Sequence, residues 1–472
     1  MSKVVDIIII GSGIAGLYAA YQIKRIAPPN TSFLILEKNK REWMGGRAGN
    51  QPFYGADVVV GAGVGRKNKD HALIKLLRDT KVKYSEFETT RNYHTNASFE
   101  PIGIMQIMSI LKAEYKKHPE THEHKTFKQF FNELFGSDIY NEFVVMTGYT
   151  DFENADIYET LYHYGMDDNV SGWTALGISW NELTERLYDE IGGNHFHFST
   201  EVKQIKQITI DPDNAKVQTP HQKSSSLSTV AGGRNPHFQP SNTVAGGRNP
   251  HHSNTVAGGR NPHFEITTTN NQKYYANKVI VATTISSVRK LVPGASSPTS
   301  IYQQIHGQPF LIVYAKFDKA SNEIMKTYIH AFTVVNGPLQ KLIPMDIDKG
   351  VYMIAYTDNQ HAKGLKSKGT IENTPDVREM YSKWIKIALG IPKNTTLHII
   401  AIRGYYWNDG THYYAPLNTK EYKNRADFIR KAQHPMNGML VVGEMVSRNQ
   451  GWVEGALESV DAVITRELTN LQ

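Results

Sequence analysis

The sequence predicts an α/β fold built on a parallel, doubly wound sheet, and three observations carry that expectation. The first is Val4 to Ile10, VVDIIII, a nearly continuous apolar run that suits a strand buried on both faces. The second is Gly11-Ser12-Gly13-Ile14-Ala15-Gly16, followed by a stretch of helical periodicity. The third is a second apolar run, Phe33 to Leu36, that ends at the acid Glu37. Strand, glycine turn, helix, strand and acid in this order form a Rossmann-like βαβ unit.

Each element has a physical reason. Gly11 permits the tight turn out of the strand, Gly13 lets backbone approach a pyrophosphate, and Gly16 lets helix and strand pack closely. Ile14 and Ala15 open the helix, whose unpaired N–H groups and positive dipole end suit phosphate oxygens. Glu37 follows Gly16 by 21 residues, near the roughly 20 expected for the acid that binds the adenosine ribose, with Lys38 beside it. An acid here disfavours a 2'-phosphate, so FAD or NAD is expected rather than NADP.

A chain of 472 residues holds about two domains. With 40% apolar residues and no apolar run of transmembrane length, it reads as globular, without a membrane segment. The nucleotide strand begins close to Met1, which leads us to expect a cytoplasmic protein. The absence of cysteine excludes disulfides, thiolate nucleophiles, Cys-ligated zinc and a cysteinyl-linked flavin. The net charge of +7 does not point to nucleic acid, because +4 of it lies in residues 222–264, which carry Lys223, Arg234, Arg248 and Arg260 and no acid.

That segment repeats Thr-Val-Ala-Gly-Gly-Arg-Asn-Pro-His from Thr229, Thr243 and Thr255. The offsets of 14 and 12 residues are too short and uneven for a solenoid. Its composition offers little to bury, so 222–264 is expected to be a flexible insert at the tip of a surface hairpin. Anion or metal binding by its Arg and His residues is the alternative. His118, His122 and His124 flank a Pro119 break and read as a surface charge cluster, so no metal site is expected.

Seven residues after Glu37 comes Met44-Gly45-Gly46-Arg47-Ala48-Gly49, a turn that supplies further N–H groups and a guanidinium able to fork onto a phosphate. In this position it resembles the flavin-containing amine oxidase family, the monoamine and polyamine oxidases, with protoporphyrinogen oxidase and phytoene desaturase as more distant relatives. Four further segments carry the resemblance. Val58 to Gly63 is similar to the family's Gly-Ala segment near the flavin, through Gly61, Ala62 and Gly63. Gly172 to Leu176 is similar to its GGxxxL lead-in to a helix. Glu201 to Ile205 is similar to the strand whose backbone, here at Val202, contacts the adenine. Lys278 to Thr284, containing Thr283, is similar to the strand that re-enters the cofactor domain.

The closing match is Leu440-Val-Val-Gly443-Glu444, then Gly451-Trp452-Val453-Glu454-Gly455-Ala456. On its own residues this is a buried strand followed by a helix with Val453, Ala456, Leu457, Val460, Val463 and Ile464 on one face. The resemblance implies that Glu444 holds the ribityl-phosphate side of the cofactor and that backbone near Trp452 and Val453 meets the ring.

The implied architecture is a discontinuous Rossmann-like FAD-binding domain from residues 1–85, 175–295 and 425–472. A mixed α+β substrate domain from 86–174 and 296–424 would cover the flavin. The implied activity is FAD-dependent oxidation of a primary or secondary amine, polyamines included. Hydride passes to flavin N5, the product imine hydrolyses, and dioxygen is reduced to hydrogen peroxide. FAD would be non-covalent, and the partners a small-molecule amine and O2; oligomeric state is left open.

Two aromatics usually flank the flavin in this family. Trp452 matches one, and His412 or Tyr413 is the candidate for the other; a packed strand and turn over Tyr405 to Tyr414 is the plainer reading. Asp151, Glu153 and Asp156 read as a solvated acidic turn, with attraction of a polycationic amine as the alternative. The chain departs from the family within Ile301 to Phe317, where Phe310 occupies the place of a lysine beside N5 and the nearest lysine is Lys316. That departure keeps open a desaturase-like or porphyrinogen-oxidase-like enzyme, or a flavoprotein whose FAD is structural and whose catalytic site has decayed. The Tyr-Trp…Gly-Thr-His-Tyr-Tyr stretch is also similar to amine-oxidase-like proteins of large DNA viruses, which would place the protein in a virion.

Overall fold

A computed structural model describes residues 4–98, 103–208 and 263–469, with side chains described through 464. The first strand, β1 (Val4–Ile10), sits at the centre of a seven-stranded sheet. On one side of it lie β2 (Phe33–Leu36) and Phe196–His197, and on the other Lys273–Val281, all parallel to β1. The C-terminal half of Lys273–Val281 carries the parallel strand Met439–Val441, while its N-terminal half pairs antiparallel with Phe264–Thr268, and that with Val202–Gln207. Ile7 and Ile9 enter one core and Ile8 and Ile10 another, which is why the first run is apolar throughout.

The first core holds helix α1 (Ile14–Ile26) between helices Trp180–Ile191 and Val453–Thr469. The second core contains helices Ile285–Leu291 and Arg425–Gln433. Helices on both faces make the sheet doubly wound.

A second sheet of six strands runs in the order Ile399–Tyr414, Ile305–Phe317, Val351–Asp358, Lys341–Asp346, Phe332–Val335 and Arg91–His94. One of its faces joins the first core, and side-chain hydrogen bonds, among them the following three, seat it on the hairpin of residues 50–60. Tyr314 donates to the Val59 carbonyl (2.7 Å), Trp407 to the Val60 carbonyl (2.6 Å) and Tyr405 to Gln51 (2.9 Å). Beside it, helices Gly103–Lys117, Phe127–Thr147 and Ile157–Tyr162 close around Phe127, Phe130, Phe131, Phe143 and Phe152. Among the described residues no helix is long and apolar enough to cross a membrane.

Several expectations need correction. Gly172 to Leu176 does not lead directly into a helix. Thr174–Ile178 is a strand paired with Tyr84–Glu88, and the helix starts only at Trp180, behind the Ser179 cap. Tyr405 to Tyr414 contains no turn. The strand continues through Asn408-Asp409-Gly410 as a bulge, because Pro309 opposite has no N–H and the register slips between Gln308 and Phe310.

The acids at 151–156 are not a solvated turn. Asp156 is buried, caps the helix Ile157–Tyr162 and pairs with Arg425 at 3.0 Å, while Glu153 accepts from Asn359 at 2.8 Å. Of the insert, only His263 and Phe264 are described; the rest of 222–264 lies outside the described residues. Phe264 is fully buried and starts a strand, so the insert's expected end is one residue too far. The flanking strands are antiparallel neighbours, closed by Ile208 donating to the His263 carbonyl at 2.9 Å.

Candidate functional site

The glycine turn has the geometry its residue types dictate. Gly11 has φ +101°, a conformation costly to any side chain, and a Cβ on Gly16 would lie 2.0 Å from the Gly11 carbonyl oxygen. A Cβ on Gly13 would meet nothing within 4 Å, so this face of the turn is open. Ile14 and Ala15 are buried at the first turn of α1, whose N-terminus has no side-chain cap. No side chain therefore takes up the N–H groups of this first turn.

Glu37, buried at the end of β2, takes the Ser12 N–H at 2.8 Å and the Ser12 hydroxyl at 3.0 Å on one oxygen, and the Asn39 N–H at 2.8 Å on the other. A carboxylate has about four acceptor positions, so capacity for ribose hydroxyls remains. Lys38 beside it is exposed. The Glu37 carbonyl accepts from Thr200 at 2.7 Å, which brings the chain up to Val202 alongside this corner.

The second glycine motif docks on the first. Gly45 donates to the Ser12 carbonyl at 2.8 Å, and a Cβ on Gly46 would lie 3.6 Å from Gly13 Cα. Ala62 donates to the Arg47 carbonyl at 2.8 Å, which fixes Gly61, Ala62 and Gly63 against the same turn, with open space at Gly63. Thr283, at the end of the neighbouring strand, has its buried hydroxyl oxygen unpaired, and its methyl lies 3.4 Å from where a Gly11 Cβ would be.

Arg47 reaches across to the chain's far end. Its Nη1 is shared among the Gly410 carbonyl (2.7 Å), Glu444 Oε1 (2.8 Å) and the Asp409 carbonyl (3.1 Å). The bulge aims those two carbonyls at Arg47 and leaves the Asp409 carboxylate to take the Ser286 hydroxyl at 2.9 Å. Glu444 also accepts from His412 Nδ1 at 2.5 Å and from the Gly451 N–H at 3.1 Å. Burial opposes ionisation of Glu444, but its neighbours His412 and Arg47 and these hydrogen bonds outweigh it and hold its pKa at about 2. Gly443, just before it, donates to Ser459 at 2.8 Å.

The aromatic candidates separate. His412 is buried, and its Nε2 accepts the Ile285 N–H at 3.2 Å, which leaves the ring proton on Nδ1 for Glu444. It is therefore a strut behind Glu444 and not a wall of a slot. Tyr413, the next residue on the strand, points to the opposite face and stacks on His306 with centroids 5.1 Å apart. Trp452 and Val453 are half-buried where the last helix begins. The Arg66 guanidinium lies 3.9 Å from the centre of the Trp452 ring. Thr411 places its methyl 3.5 Å from where a Gly451 Cβ would be, and its buried hydroxyl oxygen is also unpaired.

At the expected lysine position, Phe310 packs on Tyr356 at 5.8 Å. Lys316 bonds the Lys349 carbonyl at the far end of the strand and does not substitute for it. Sequence reading passed over Lys341, which is fully buried, donates to the Gly148 carbonyl and sits 3.3 Å from the centre of the Tyr149 ring and 4.5 Å from that of Tyr356. Burial pulls its pKa down to about 7. Asp151, held by Tyr164 at 2.7 Å, is pushed up to about 7 by burial and by the charge of Asp358. Nothing in the local sequence marks Lys341, because its burial comes from two other segments. Among the described residues no group of three His, Asp or Glu converges as metal ligands; His118 and His124 face Glu120 and Glu123 instead.

An open glycine turn, an uncapped helix N-terminus, a buried acid with spare acceptor capacity and two orphaned threonine hydroxyls fit an extended, anionic dinucleotide. Apart from Thr411, which stands on the second sheet beside Gly451, they lie at the carboxyl ends of β1, β2 and the strands Lys273–Val281 and Met439–Val441, where open α/β sheets bind ligands. Comparison with known proteins agrees with that architecture. Residues 9–79 match the family described as NAD(P)-binding Rossmann-like domain. No curated protein matches the chain in sequence. Among solved structures, cyclohexylamine oxidase from Brevibacterium oxydans IH-35A is similar with a TM-score of 0.67 at 14% identity, over 99% of this chain and 99% of that one. The whole chain thus has an α/β fold shared with that oxidase.

Proposed function

We propose that the protein is an FAD-dependent oxidoreductase of the amine oxidase type. The observation that carries this reading is the meeting of Gly11–Gly16, Gly45-Gly46-Arg47 and Glu444 with Gly451 at one end of the parallel sheet, within a fold shared over its whole length with cyclohexylamine oxidase. In this reading 1–85, 175–295 and 425–472 form the cofactor domain and 86–174 and 296–424 the substrate domain.

The helix α1 N-terminus and Gly13 receive the pyrophosphate, Glu37 the adenosine ribose, and Arg47 with Glu444 the ribityl side. When bound, flavin supplies the acceptor for a hydride from the amine carbon and is reoxidised by dioxygen, giving hydrogen peroxide. The protein's part is to orient and to exclude water. Trp452 and the Phe310–Tyr356 pair bound the reaction space, and the Val453–Thr469 helix N-terminus stabilises negative charge on the cofactor. FAD is held without a covalent bond, and the substrate is a small primary or secondary amine.

The test is to purify the protein, release and identify its flavin, and mix it anaerobically with a panel of cyclic, aromatic and polyamines, including cyclohexylamine. Bleaching by one amine class, followed by peroxide formation in air, is the expected result. Full FAD occupancy with no bleaching by any amine overturns the amine oxidase reading. Trp452→Ala is expected to keep FAD and raise the KM about tenfold.

A second reading is favoured by Phe310, which leaves no basic side chain at that place in the strand. Here FAD binds but the reaction is a carbon–carbon or ring desaturation, or none. Bleaching by a polycyclic apolar reductant and by no amine would select the desaturase form.

A further inference from the structure

We infer that Arg66 is the positioning residue for Trp452, fixing the indole by covering one of its faces. The inference rests on the reading that Trp452 borders the reaction space, but its geometry stands independently. The guanidinium is buried and held in one plane by two carboxylates. Asp70 Oδ1 takes Nε at 2.8 Å and Nη2 at 2.7 Å, and Asp168 Oδ2 takes Nη1 at 2.9 Å. Both acids are themselves pinned. Asp70 Oδ2 accepts the Arg66 N–H at 2.7 Å, and Asp168 also takes Lys69 at 2.7 Å. The Asp168 carbonyl in turn accepts from Arg91 at 2.7 Å and Trp173 at 3.2 Å.

Arg66 is therefore stationary, and the Trp452 ring lies against it at 3.9 Å. Among the described residues no other ring or hydrogen bond holds the indole. A second tie acts two residues on. The Glu454 carboxylate accepts the Ala72 N–H at 2.8 Å and the Leu73 N–H at 2.9 Å, so it caps the helix His71–Asp79. Residues 66–73 thus grip both ends of Trp452-Val453-Glu454. With one indole face taken by a fixed cation, an incoming substrate has only the opposite face and the edge to use. This contact sets the width of the opening on that side, and does so without Arg66 touching the substrate.

The test uses the full chain with FAD bound. The near-UV circular dichroism of Trp452 is isolated by subtracting Trp452→Phe, in wild type, Arg66→Met, Arg66→Lys and Asp168→Asn backgrounds. The expected result is that the Trp452 signal falls by at least about half in R66M and less in R66K, with D168N between them, since a lysine retains charge but not the planar stack. With an amine that bleaches the flavin, R66M is expected to raise KM about tenfold and change kcat by less than about threefold. An unchanged Trp452 signal in R66M, with native far-UV dichroism, overturns the inference. Should R66M not fold, a loss in D168N larger than that in R66K supports it and an unchanged signal in both R66K and D168N overturns it. A lost Trp452 signal in a protein that no amine reduces supports the contact and overturns the proposed reaction.

Discussion

At the first glycine turn most of the shaping residues lie within one stretch of chain, from Val4 to Glu37, and the Ser12–Glu37 hydrogen bonds span 25 residues. The clamp around Glu444 is assembled across sequence separations of 362 to 397 residues, with Arg47 as the bridge. The first is a property of a supersecondary unit and forms with it. The second exists only when two sheets are docked, so it reports on the docking as much as on any ligand. Substitutions at the first should divide cleanly into those that damage packing and those that damage binding, whereas at the second the two effects stay joined.

The largest effect tests that division. Gly16→Ala puts a Cβ 2.0 Å from a backbone oxygen, and is expected to cost about 3 kcal/mol or prevent soluble folding. Gly13→Ala enters open space, so its melting temperature should stay within about 1 °C of wild type while flavin content falls more than about tenfold. Melts and flavin-to-protein ratios on the two variants check this; equal flavin content in Gly13→Ala and wild type would break the comparison.

Next comes Glu444→Gln. The carboxyl's pKa is lowered from 4.5 to about 2 in the folded protein, so its stabilisation is complete above pH 4.5 and lost as pH falls from there towards 2. That contribution is on the order of 3 kcal/mol, and Glu444→Gln should lose it at pH 7 and flatten the acid limb between pH 4.5 and 2. Urea melts across that range measure both. An acid limb unchanged by the substitution would sever Glu444 from the docking of the two sheets.

Lys341 gives a change of opposite sign. Its pKa drops from 10.5 unfolded to about 7 folded, so the unfolded chain binds more protons between those values and stability rises with pH from 7 to 10.5. Lys341→Met should flatten that rise and stabilise the protein at pH 7 and below, where the cost of burying the ammonium exceeds the lost bond to the Gly148 carbonyl. A variant less stable than wild type at pH 6 would show that the tyrosine faces and the carbonyl more than offset the burial. The smallest effect is at Tyr413, which faces away from Glu444. Tyr413→Phe should leave the KM and kcat of a bleaching amine within about twofold, measured by peroxide release.

The same contrast governs what the sequence discloses. Gly11 and Gly16 announce themselves because backbone geometry requires them, and Gly13 and Glu37 because their spacing from those two is that of a nucleotide-binding βαβ unit. The helix Val453–Thr469 is legible for the same reason: its buried face repeats at helical spacing. His412 was visible as a candidate but not in its position, since which face it occupies depends on the bulge at 408–410 and on Pro309 in a partner strand. The acids at 151–156 looked like a surface turn because their partners, Arg425 and Asn359, lie far along the chain. Lys341 and Arg66 gave no signal, as a cation's burial is decided by which carboxylates or rings the fold delivers to it.

The sheet is closed at Ile208 and His263 by a backbone hydrogen bond, with antiparallel neighbours on either side. The general cost of closing a loop between two such ends rises by only about 0.6 kcal/mol per doubling of length. Changing the number of nine-residue units between these ends is therefore expected to shift the melting temperature little, which thermal melts of variants carrying one, two and three units would check. The same position is a natural seam for grafting a reporter or an affinity handle.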